Sequence, residues 1–428
     1  MPTLKLGMLG CGHVGMEVAR LLSADSGDFA ARAGAQLTLT KIAVKDASKK
    51  RAHIDSRLIT TDAHSVVSDP DISIIIEVMG GISPARELLT TAMNNGKSVI
   101  TANKALLAQH GAELFNVAAE NGVDLYYEAS VGGAIPILRP LRESIVGDHV
   151  TRIMGIVNGT TNYILTKMDE EGLPFDTVLK EAQSLGYAEA DPTADVEGHD
   201  AAAKAAILAS LAFHSRVSDR DVFTEGISKI SATDVAVAKA IDHVIKLLAI
   251  AELTSDDKIS VRVHPTLIPR NHPLAAVRNA FNAVFVEAQS AGELMFYGRG
   301  AGGEPTASAI LGDVIAVARH LTMGSTGPRE SGYAERAIAP IGDVKTRYLI
   351  RLNVSDKPGV LAAIAQIFAT HHVSIQTVRQ SGRGNDAELI VATHSATDAA
   401  LHATVKDLSH NNSVKSVESV LRIEGAHH

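Results

Sequence analysis

The sequence contains a single cysteine, Cys11, among its 428 residues. An intramolecular disulfide is therefore excluded, and a protein of this kind fits a reducing compartment. The chain also lacks an uncharged apolar run of about 18 residues, so we expect no membrane-spanning helix and no membrane partner. Its first apolar segment, KLGMLG, is too short and too soon interrupted by glycine to be a signal peptide. We therefore expect a cytoplasmic protein.

Basic residues are also fewer than acidic residues. The chain has 40 Lys and Arg against 48 Asp and Glu, which gives a formal charge of −8 at pH 7. This balance argues against a general polyanion binder, and we expect no nucleic-acid partner. It does not exclude a local basic pocket. Tandem repeats and low-complexity segments are absent too. A hydrophobic share of 46% and a charged share of 21% are ordinary for a globular protein, and the length suggests about two to four domains.

Apolar strands alternate with helices in the N-terminal third of the chain. We predict strands within residues 4–9, 37–46, 72–81, 97–104 and 123–131, with helices between them and another helix over 105–121. This alternation predicts an α/β fold with a doubly wound parallel sheet, that is, a Rossmann-like domain over residues 1–134. A later helix within 305–340 is expected to complete it.

The pattern changes after residue 135. Residues 135–304 are predicted to form an α+β domain with an open mixed sheet, with strands at 151–160, 258–268 and 283–291. Helices are expected through about 212 and again across 232–250. A segment rich in Gly, Pro and charge, 325–347, is a linker candidate. Residues 348–428 then follow a β-α-β-β-α-β order, which predicts a C-terminal ferredoxin-like unit.

A glycine-rich loop, GCGHVG, follows the first predicted strand and opens a helix. In this position Gly10 permits a tight turn, Gly12 lets the backbone approach a pyrophosphate, and Gly15 lets helix and strand pack closely. The helix N-terminus offers N–H groups to the anion, with His13 and Val14 supplying backbone contacts. We interpret His13 as a positioning group rather than a catalytic one. Cys11 is interpreted as a buried filler rather than a nucleophile.

The end of the second strand bears on the choice of cofactor. An acid there would bind the ribose hydroxyls of NAD, and a base would accept the 2′-phosphate of NADP. Lys45 and Asp46 occupy this place, and Lys49, Lys50 and Arg51 follow. The basic excess favours NADP(H), while NAD(H) remains open. The alternative for Lys49 to Arg51 is a solvated basic helix start.

A cluster of acids precedes one lysine between Glu181 and Leu208. Carboxylates beside a basic amine can hold a small cationic substrate and move a proton; the alternative is a solvated acidic loop followed by an ordinary Asp–Lys helix pair. Asp200 and Lys204 are four residues apart, so a helix would present them on one face. The acids of the predicted loop are Glu189, Asp191, Asp195, Glu197 and Asp200.

Two further segments are candidates for a site. TANK places Lys104 just after a strand, at the edge where parallel sheets bind ligands, although a surface lysine is the competing interpretation. EASVGGAIP, residues 128–136, combines one acid with glycines and a proline. Carbonyls of such a turn can bind a hard monovalent cation; a simple crossover turn is the alternative.

Taken in order, these motifs resemble those of homoserine dehydrogenases. The resemblance spans essentially the whole chain and is most specific at LGYAEADP, continued by a GxDxxxK pattern that ends at Lys204. The C-terminal unit, which opens with SDKPGVL, resembles an ACT domain of the longer family members. The other motifs that carry the resemblance are GCGHVG, TANK, EASVGGAIPI, NGTTNYIL and GRGAGGEPTASA.

The resemblance implies a role for each group of residues. Lys204 would be the proton donor and acceptor, and Lys104 would lie between substrate and nicotinamide. Among the acids of the loop that are then left without a role, Asp195 is our candidate to orient Lys204. The substrate-binding set would be Glu189, Asp200 and Thr160, and the sodium-binding set Glu128 with the carbonyls of Val131, Gly133 and Ile135. The effector set would be Asp356, Gly359, Ser374 and Gln376. The cofactor-binding set would be Gly10, Gly12, His13, Val14, Gly15, Lys45, Gly80, Ala102, Lys104, Gly186, Gly302 and Gly303.

The implied reaction interconverts L-aspartate 4-semialdehyde and L-homoserine by hydride transfer with NADP(H) or NAD(H), in threonine, methionine and isoleucine biosynthesis. The cysteine count agrees, because oxidation of an aldehyde through a thiohemiacetal needs a thiol and Cys11 lies in the nucleotide loop. Threonine is the natural hypothesis for an effector, and a homodimer or homotetramer is expected. Two alternatives are another NAD(P)-dependent amino-acid dehydrogenase and a non-catalytic nucleotide and amino-acid sensor.

Overall fold

The chain folds into two compact units. We describe them from a computed structural model, which describes residues 1–52, 54–329, 332–383 and 386–425. Unit 1 comprises Met1–Gly159, Ala203–Asp221 and Ala280–Glu335, and unit 2 comprises Thr160–Ala202, Val222–Asn279 and Arg336–His428. Residues 426–428, the end of the predicted ACT-like unit, lie outside the described residues. Within the described ranges, no helix combines the length and apolarity that crossing a membrane requires.

The helices and strands are named in chain order. Up to Ala212 they are β1 (Thr3–Leu9), α1 (His13–Ala24), α2 (Ser26–Ala33), β2 (Gln36–Ala43), β3 (Ile59–Thr60), α3 (His64–Val67), β4 (Ile72–Glu77), α4 (Ala85–Asn94), β5 (Ser98–Thr101), α5 (Lys104–Glu120), β6 (Leu125–Tyr126), β7 (Val150–Ile156), α6 (Gly159–Glu171), α7 (Phe175–Ser184), α8 (Thr193–Val196) and α9 (His199–Ala212). The remainder are β8 (Phe223–Thr224), α10 (Ala232–Ala240), β9 (His243–Leu253), β10 (Ile259–Pro269), β11 (Phe281–Ala288), β12 (Gly292–Arg299), α11 (Gly303–Met323), β13 (Lys345–Val354), α12 (Val360–Thr370), β14 (Ile375–Arg383), β15 (Asp386–Thr393), β16 (Ala396–Thr397), α13 (Asp398–His410) and β17 (Val414–Ile423).

Unit 1 contains the predicted Rossmann-like sheet, with strand order β3-β2-β1-β4-β5-β6. Every neighbouring pair in it is parallel. The apolar run of β4 explains its central place, since Ile74, Ile75 and Ile76 are completely buried and a parallel strand is covered on both faces. The prediction of a doubly wound parallel sheet is therefore confirmed.

Helix α11 returns the chain to this sheet. Its apolar side chains Ile310, Val314 and Val317 share one core with Val18 of α1 and Leu6 of β1. The helix thus covers the same face of the sheet as α1, the helix that follows the nucleotide loop. Unit 1 also contains an antiparallel group in which β11 lies between β7 and β12.

A buried ionic group holds the turn after β6 in unit 1. The carboxylate of Glu128 accepts backbone N–H groups of Ile137, Leu138 and Arg139 at 2.6–2.8 Å. The backbone N–H of Glu128 donates to Asp313 of α11 at 2.9 Å, and the Arg139 guanidinium donates to the other Asp313 oxygen. Because backbone and side chain of Glu128 are both bonded, the turn at 128–139 is tied to α11.

Unit 2 contains the predicted C-terminal β-α-β-β-α-β domain. Its strands pair in the order β17-β13-β15-β14, and the pairs are antiparallel. Ile364 and Phe368 of α12 and Leu401 and Leu408 of α13 fill one core against this sheet. Strand β17 continues the pairing to β10, with Thr266 and Leu267 opposite Arg422 and Ile423.

The helix predicted to run to residue 250 is wrong beyond α10. The helix ends at Ala240, and His243–Leu253 forms β9, which pairs along its whole length with β10. When both sides of a segment are buried, its apolar residues follow neither the helical nor the strand period, so the sequence pattern does not distinguish the two. Lys246 fits inside this strand because its amine donates to Asn162 Oδ1 and to the Val277 carbonyl, at 2.9 and 2.6 Å.

A second difference concerns the strand predicted over residues 123–131. Only Leu125–Tyr126 forms β6, and Glu128–Ser130 is a turn of 3₁₀-helix. The carboxylate of Glu128 turns back to bond the N–H groups at 137–139, which takes this residue out of the extended conformation.

Ionisation of Asp313 should make the stability of unit 1 depend on pH. Burial, and secondly the nearby Glu128 carboxylate, raises the pKa of Asp313 from 3.8 to about 7. The folded chain therefore holds this proton more tightly than the unfolded chain, so the resulting stability is complete below about pH 3.8 and is lost as pH rises through about 7. For one proton the loss is at most about 1.4 kcal/mol per pH unit. Asp313→Asn should abolish this part of the pH dependence of the thermal midpoint.

The matched control is Asp256→Asn, because hydrogen bonds from Lys258 and Thr254 lower the pKa of Asp256 to about 2, outside the same interval. Its midpoint should follow that of the wild type between pH 4 and pH 8. A constant difference between the wild type and Asp313→Asn across this interval would contradict the assignment.

Candidate functional site

The nucleotide loop joins β1 to α1. Gly10 has φ +97°, and a Cβ there would lie 2.7 Å from the Val78 carbonyl oxygen; a Cβ on Gly15 would lie 2.8 Å from the Gly10 oxygen. At Gly12, by contrast, a Cβ would meet nothing within 4 Å. Helix α1 begins at His13 without a side-chain cap. The loop therefore presents N–H groups of a helix N-terminus on its open side, as anion binding requires.

The carboxyl edge of the parallel sheet is organised by Glu77, a residue that was not predicted from the sequence. Its completely buried carboxylate accepts the N–H groups of Met79 and Gly80 at 2.7 and 3.0 Å, and the Thr101 hydroxyl at 2.5 Å. It thereby joins the ends of β4 and β5 and orients the backbone at Gly80. An acid at the end of an otherwise apolar strand is the signal that could have identified it.

Lys104 begins α5 at this same edge. The preceding residue, Asn103, caps the helix by accepting the Leu106 N–H, and its amide donates to the Gly81 carbonyl at 2.6 Å. The backbone of Ala102 is bonded to the Glu77 carbonyl. These contacts place Gly80, Ala102 and Lys104 together at the end of the two strands.

Arg51 is the basic residue that reaches the nucleotide loop. Its Nε donates to the Cys11 carbonyl at 3.2 Å, and its other nitrogens donate to the carbonyls of Asp46 and Lys49. Lys45 is exposed. The Asp46 carboxylate accepts the hydroxyl and the N–H of Ser48, which lower its pKa. Arg51 thus stands beside the loop, a contact that sequence spacing did not predict.

The glycine turn before α11 lies against the nucleotide loop. A Cβ on Gly303 would be 3.4 Å from the His13 carbonyl oxygen, and a Cβ on Gly133 would be 2.5 Å from that of Gly300. Gly302 has φ +122° and caps the start of α11. The glycine turn at 300–303 therefore connects the nucleotide loop with the turn that contains Gly133.

The predicted cation turn has one engaged carboxylate and several available carbonyls. The Glu128 carboxylate already accepts three backbone N–H groups. Within the described part of the chain, no backbone N–H donates to the carbonyl oxygens of Val131, Gly133 or Ile135. The Glu128 carboxylate is thus occupied by the backbone, and the carbonyl oxygen of Glu128 accepts the Val131 N–H at 3.5 Å.

Lys204 is a buried lysine in α9. It is 8% exposed, and its Nζ donates to the Val157 carbonyl at 2.6 Å. Asp200, also 8% exposed, lies one turn earlier on the same helix. Both side chains are thus withdrawn from solvent, so the alternative of a solvated Asp–Lys pair is wrong. Val157 was not predicted as a partner, because it lies 47 residues away in sequence.

The acidic segment of unit 2, which was predicted to be a loop, is partly helical. Asp195 lies in α8 and Asp200 in the first turn of α9, whereas Glu189 and Asp191 are exposed between helices. The reason is local, since the Asp191 carboxylate accepts the Thr193 N–H at the start of α8. Gly186, with φ +77°, follows the end of α7.

Thr160 and Tyr163 of α6 fasten the chain on both sides of Gly186. The Thr160 hydroxyl donates to the Tyr187 carbonyl at 2.6 Å, and the Tyr163 hydroxyl donates to the Glu181 carboxylate at 2.6 Å. The Tyr163 and Tyr187 rings are 4.9 Å apart. Burial, followed by the Glu181 hydrogen bond, raises the pKa of Tyr163 to about 12. Thr160 thereby positions the chain two residues before Glu189.

The C-terminal domain contains a cavity of about 240 Å³ beside α12. Asp356 and Gly359 line it, and Gln380 of β14 closes it by donating to Asp356 at 3.0 Å. Ser374 precedes β14 and Gln376 falls at an irregularity in its pairing, and neither belongs to the cavity lining. The structure thus brings Gln380, rather than Ser374 or Gln376, to the Asp356 segment, because β14 reaches this segment only near its far end.

Cys11 has the properties of a packing residue. Its thiol is 8% exposed within the core of unit 1, and burial raises its pKa. A raised pKa leaves the thiol protonated and a poor nucleophile. The observed site chemistry is therefore built from amines, carboxylates and backbone groups.

Comparisons with known proteins agree with this arrangement. Three family models match the chain: "Homoserine dehydrogenase, NAD binding domain" over residues 10–128, "Homoserine dehydrogenase" over 136–315, and "ACT domain" over 348–409. A dinucleotide-binding domain for a nicotinamide cofactor is thus joined to a catalytic domain and a C-terminal domain of the type that binds small-molecule effectors.

The matches to individual proteins extend over nearly the whole chain. Homoserine dehydrogenase of Mycobacterium tuberculosis is 52% identical over 98% of this chain and 97% of its own length. That of Corynebacterium glutamicum is 52% identical, over 98% and 95%. The crystal structure of a homoserine dehydrogenase from Thiobacillus denitrificans is 39% identical, covers 99% of both chains, and superposes with a TM-score of 0.95. The chain therefore belongs to the homoserine dehydrogenase family.

Proposed function

We propose that Lys204 carries the proton when the enzyme interconverts L-homoserine and L-aspartate 4-semialdehyde. The observation that supports this role is the buried Lys204 amine, held by the Val157 carbonyl at 2.6 Å on the helix that also bears the buried Asp200. A buried amine with a fixed orientation can exchange a proton with a substrate oxygen without competition from bulk water.

The proton and the hydride leave the alcohol on separate routes. In the direction of oxidation, the homoserine hydroxyl gives its proton to the neutral Lys204 amine as its carbon loses a hydride. In the direction of reduction, the Lys204 ammonium protonates the alkoxide that forms from the aldehyde. When bound, the nicotinamide ring accepts or supplies that hydride. No covalent intermediate with the enzyme is needed, in agreement with the buried thiol of Cys11.

The substrate is an α-amino acid, and we assign its ammonium group to Glu189 and Asp200. Carboxylates suit a cation, and Asp195 is assigned to orient Lys204. Thr160 contributes by holding the Tyr187 carbonyl and hence the segment that leads to Glu189. Lys104, at the carboxyl edge of the parallel sheet, is assigned to the space between substrate and nicotinamide.

We infer that the cofactor is NADP(H), with NAD(H) as the weaker alternative. Arg51 lies beside the nucleotide loop through its bond to the Cys11 carbonyl, and Lys45 is exposed at the end of β2. Asp46, which would suit the ribose hydroxyls of NAD, is engaged with Ser48. A guanidinium in this place favours a 2′-phosphate. The remaining contacts are assigned to Gly10, Gly12, His13, Val14, Gly15, Gly80, Ala102, Gly186, Gly302 and Gly303.

A sodium ion is assigned to the turn at 128–136. The carbonyl oxygens of Glu128, Val131, Gly133 and Ile135 would hold it, because hard cations prefer oxygen ligands. Its role there would be structural, since the turn is fastened to Asp313 and lies against Gly300.

The ACT domain is assigned to feedback by threonine at the cavity beside α12. Asp356 can bind the ammonium group of an amino acid, and the N–H groups after Gly359 can bind its carboxylate. Gln380 joins this set through its contact with Asp356, whereas Ser374, just before β14, and Gln376, within it, lie outside the cavity lining. We also propose a homodimer or homotetramer, because the edge strand β12 exposes Met295 and Tyr297.

Initial rates of the wild-type enzyme test the cofactor and effector assignments together. With L-homoserine as substrate, kcat/KM should be at least about tenfold higher with NADP⁺ than with NAD⁺, the effect of one charged contact. Threonine should lower the rate, and Asp356→Ala should remove the inhibition while leaving the rate without threonine unchanged. Equal use of both cofactors would contradict the role of Arg51. Unaltered rates, with no calorimetric binding of threonine, would remove the effector.

Replacing the Lys204 amine tests the proton carrier. Lys204→Met keeps most of the side-chain volume, so kcat should fall by about 10²–10⁴-fold, the usual contribution of general acid–base catalysis, with little change in the cofactor Kd. Lys97→Met is the matched control, since Lys97 is a second buried lysine that donates to backbone carbonyls, in this case those of Asp69 and Ile72. A near-normal kcat in Lys204→Met would end the proposal.

A further inference from the structure

Arg422 of β17 joins the C-terminal domain to β8 and to the residue that follows β8. Its guanidinium donates to the Glu225 carboxylate at 2.8 Å and lies over the Phe223 ring, 5.0 Å from the ring centroid. Because the guanidinium is largely buried, solvent screens this contact less than it screens a surface ion pair. None of these three residues has a role in the mechanism above.

The C-terminal domain fixes the orientation of the Arg422 side chain. Its Nε and Nη2 donate to the Asp398 carboxylate at 3.0–3.3 Å, and the Tyr348 hydroxyl donates to the same carboxylate at 2.9 and 3.0 Å. The Tyr348 ring also lies 5.5 Å from the guanidinium. A guanidinium held in this way loses little further freedom when it binds a carboxylate. Arg422 therefore offers Glu225 a donor that is already in place.

Both partners of this ion pair lie along one edge of β10. Strand β9 occupies the other edge over the whole length of β10. Strand β8 pairs with β10 at Arg262 and Val263, and β17 pairs with it at Thr266 and Leu267. The N–H of Glu225 then donates to the Val263 carbonyl at 2.8 Å. The end of the C-terminal domain and the segment that follows β8 thus lie one after the other on the same strand.

The segment at 225–227 supports the turn between α8 and α9. The Ile227 N–H donates to the Val196 carbonyl at 2.8 Å. A Cβ on Gly226 would lie 2.3 Å from that carbonyl oxygen, so only glycine permits this approach. Gly198, with φ +83°, has space for a Cβ only at 3.6 Å from the Glu225 carbonyl oxygen. The turn at 196–198 therefore rests on the backbone on both sides of Glu225.

This turn sets where α9 begins. The Gly198 carbonyl accepts the Ala202 N–H at 2.9 Å, and Asp200 lies in the first turn of the helix. The place of the Asp200 carboxylate thus depends on the turn at 196–198. Lys204 lies one turn later and is also held by the Val157 carbonyl. A displacement of the turn should therefore move Asp200 more than Lys204.

We propose that Arg422 is a positioning residue for the substrate. Through its bond to Glu225 it holds the segment that supports the turn at 196–198, and so keeps the Asp200 carboxylate where the substrate ammonium group binds. In this role Arg422 contacts neither substrate nor cofactor. The inference rests on the proposed assignment of Asp200 to the ammonium group, but not on threonine binding or on the choice between NADP(H) and NAD(H).

Kinetics of Glu225→Gln without threonine test this role. The change removes the charge from the more exposed half of the pair and keeps its shape, so the test does not depend on the folding of an Arg422 variant. The KM for L-homoserine should rise about threefold to fivefold, the effect of one partly exposed ion pair. Because Lys204 is held separately, kcat and the calorimetric Kd of NADP⁺ should stay within about twofold of the wild type. A KM equal to that of the wild type would overturn the proposal.

Glu388→Gln is the matched control within the same domain. The Glu388 side chain is 33% exposed and is bonded by Arg351, which is 8% exposed; the corresponding values for Glu225 and Arg422 are 40% and 11%. Glu388 lies in β15, away from β8 in the sheet order. Its variant should keep the wild-type KM. An equal rise of KM in Glu388→Gln would assign the effect to the C-terminal domain in general and overturn the role of Arg422.

A double-mutant cycle tests whether Arg422 acts through Glu225. Arg422→Met should raise the KM for L-homoserine at least as much as Glu225→Gln does. In the Arg422→Met background, Glu225→Gln should raise KM no further, because the contact that it removes is already lost. If the two increases multiply in the double variant, the residues act separately and the proposed route is wrong.

Asp200→Asn separates this proposal from the proposed function. If Asp200 binds the ammonium group, its variant should raise the KM for L-homoserine about tenfold or more, the effect of a charged hydrogen bond. A raised KM in Asp200→Asn with an unchanged KM in Glu225→Gln overturns the role of Arg422 alone. An unchanged KM in Asp200→Asn overturns the assignment of Asp200, and the role of Arg422 with it.

Discussion

The carboxylate of Glu128 is the interaction on which the arrangement of unit 1 depends. It gathers three consecutive backbone N–H groups at 137–139, while its own N–H is held by Asp313 of α11. Hydrogen bonds to a buried carboxylate are strong and leave little freedom in the chain that donates them. The turn so fixed brings Gly133 against Gly300, and the glycine turn at 300–303 then reaches the His13 carbonyl. One side chain thus aligns the turn at 128–136, the nucleotide loop and α11.

Some charged side chains of this protein are buried at positions where they hold the fold together. Lys246 is buried and bonded by Asn162 and Val277, and its burial lowers its pKa to about 8. Arg262 is almost completely buried between Glu252 and Glu424, where β10 meets β17. Lys204 differs from these two bases in its motif and in its place on the same helix as the buried Asp200, and for this reason we assign the proton transfer to Lys204.

The sequence predicted features that depend on local spacing. The parallel sheet followed from alternating strands and helices, the nucleotide loop from its glycines, and the C-terminal domain from its β-α-β-β-α-β order. The position of Lys104 at the start of a helix, and that of Lys204 one turn after Asp200 within a helix, followed from the same local patterns. Their chemical roles came from family resemblance, because spacing alone left a solvated Asp–Lys pair and a surface lysine as alternatives.

Features that depend on distant partners were not predicted. Strand β9 was taken for helix because its apolar run has no distinguishing period, and only β10 decides its conformation. Arg51 meets Cys11 40 residues away, and Lys204 meets Val157 47 residues away. These features depend on packing and hydrogen bonds between residues that are far apart in sequence, and no local sequence pattern indicates such contacts.

The most direct measurement of the central claim is the position of the substrate hydroxyl relative to Lys204. A crystal structure of the unreactive complex with NADPH and L-homoserine supplies it. We predict that Lys204 Nζ lies within about 2.6–3.2 Å of the homoserine hydroxyl oxygen, and that the carbon bearing this hydroxyl faces C4 of the nicotinamide ring. A homoserine hydroxyl bonded to another side chain, with the Lys204 amine still directed only at Val157, would contradict it.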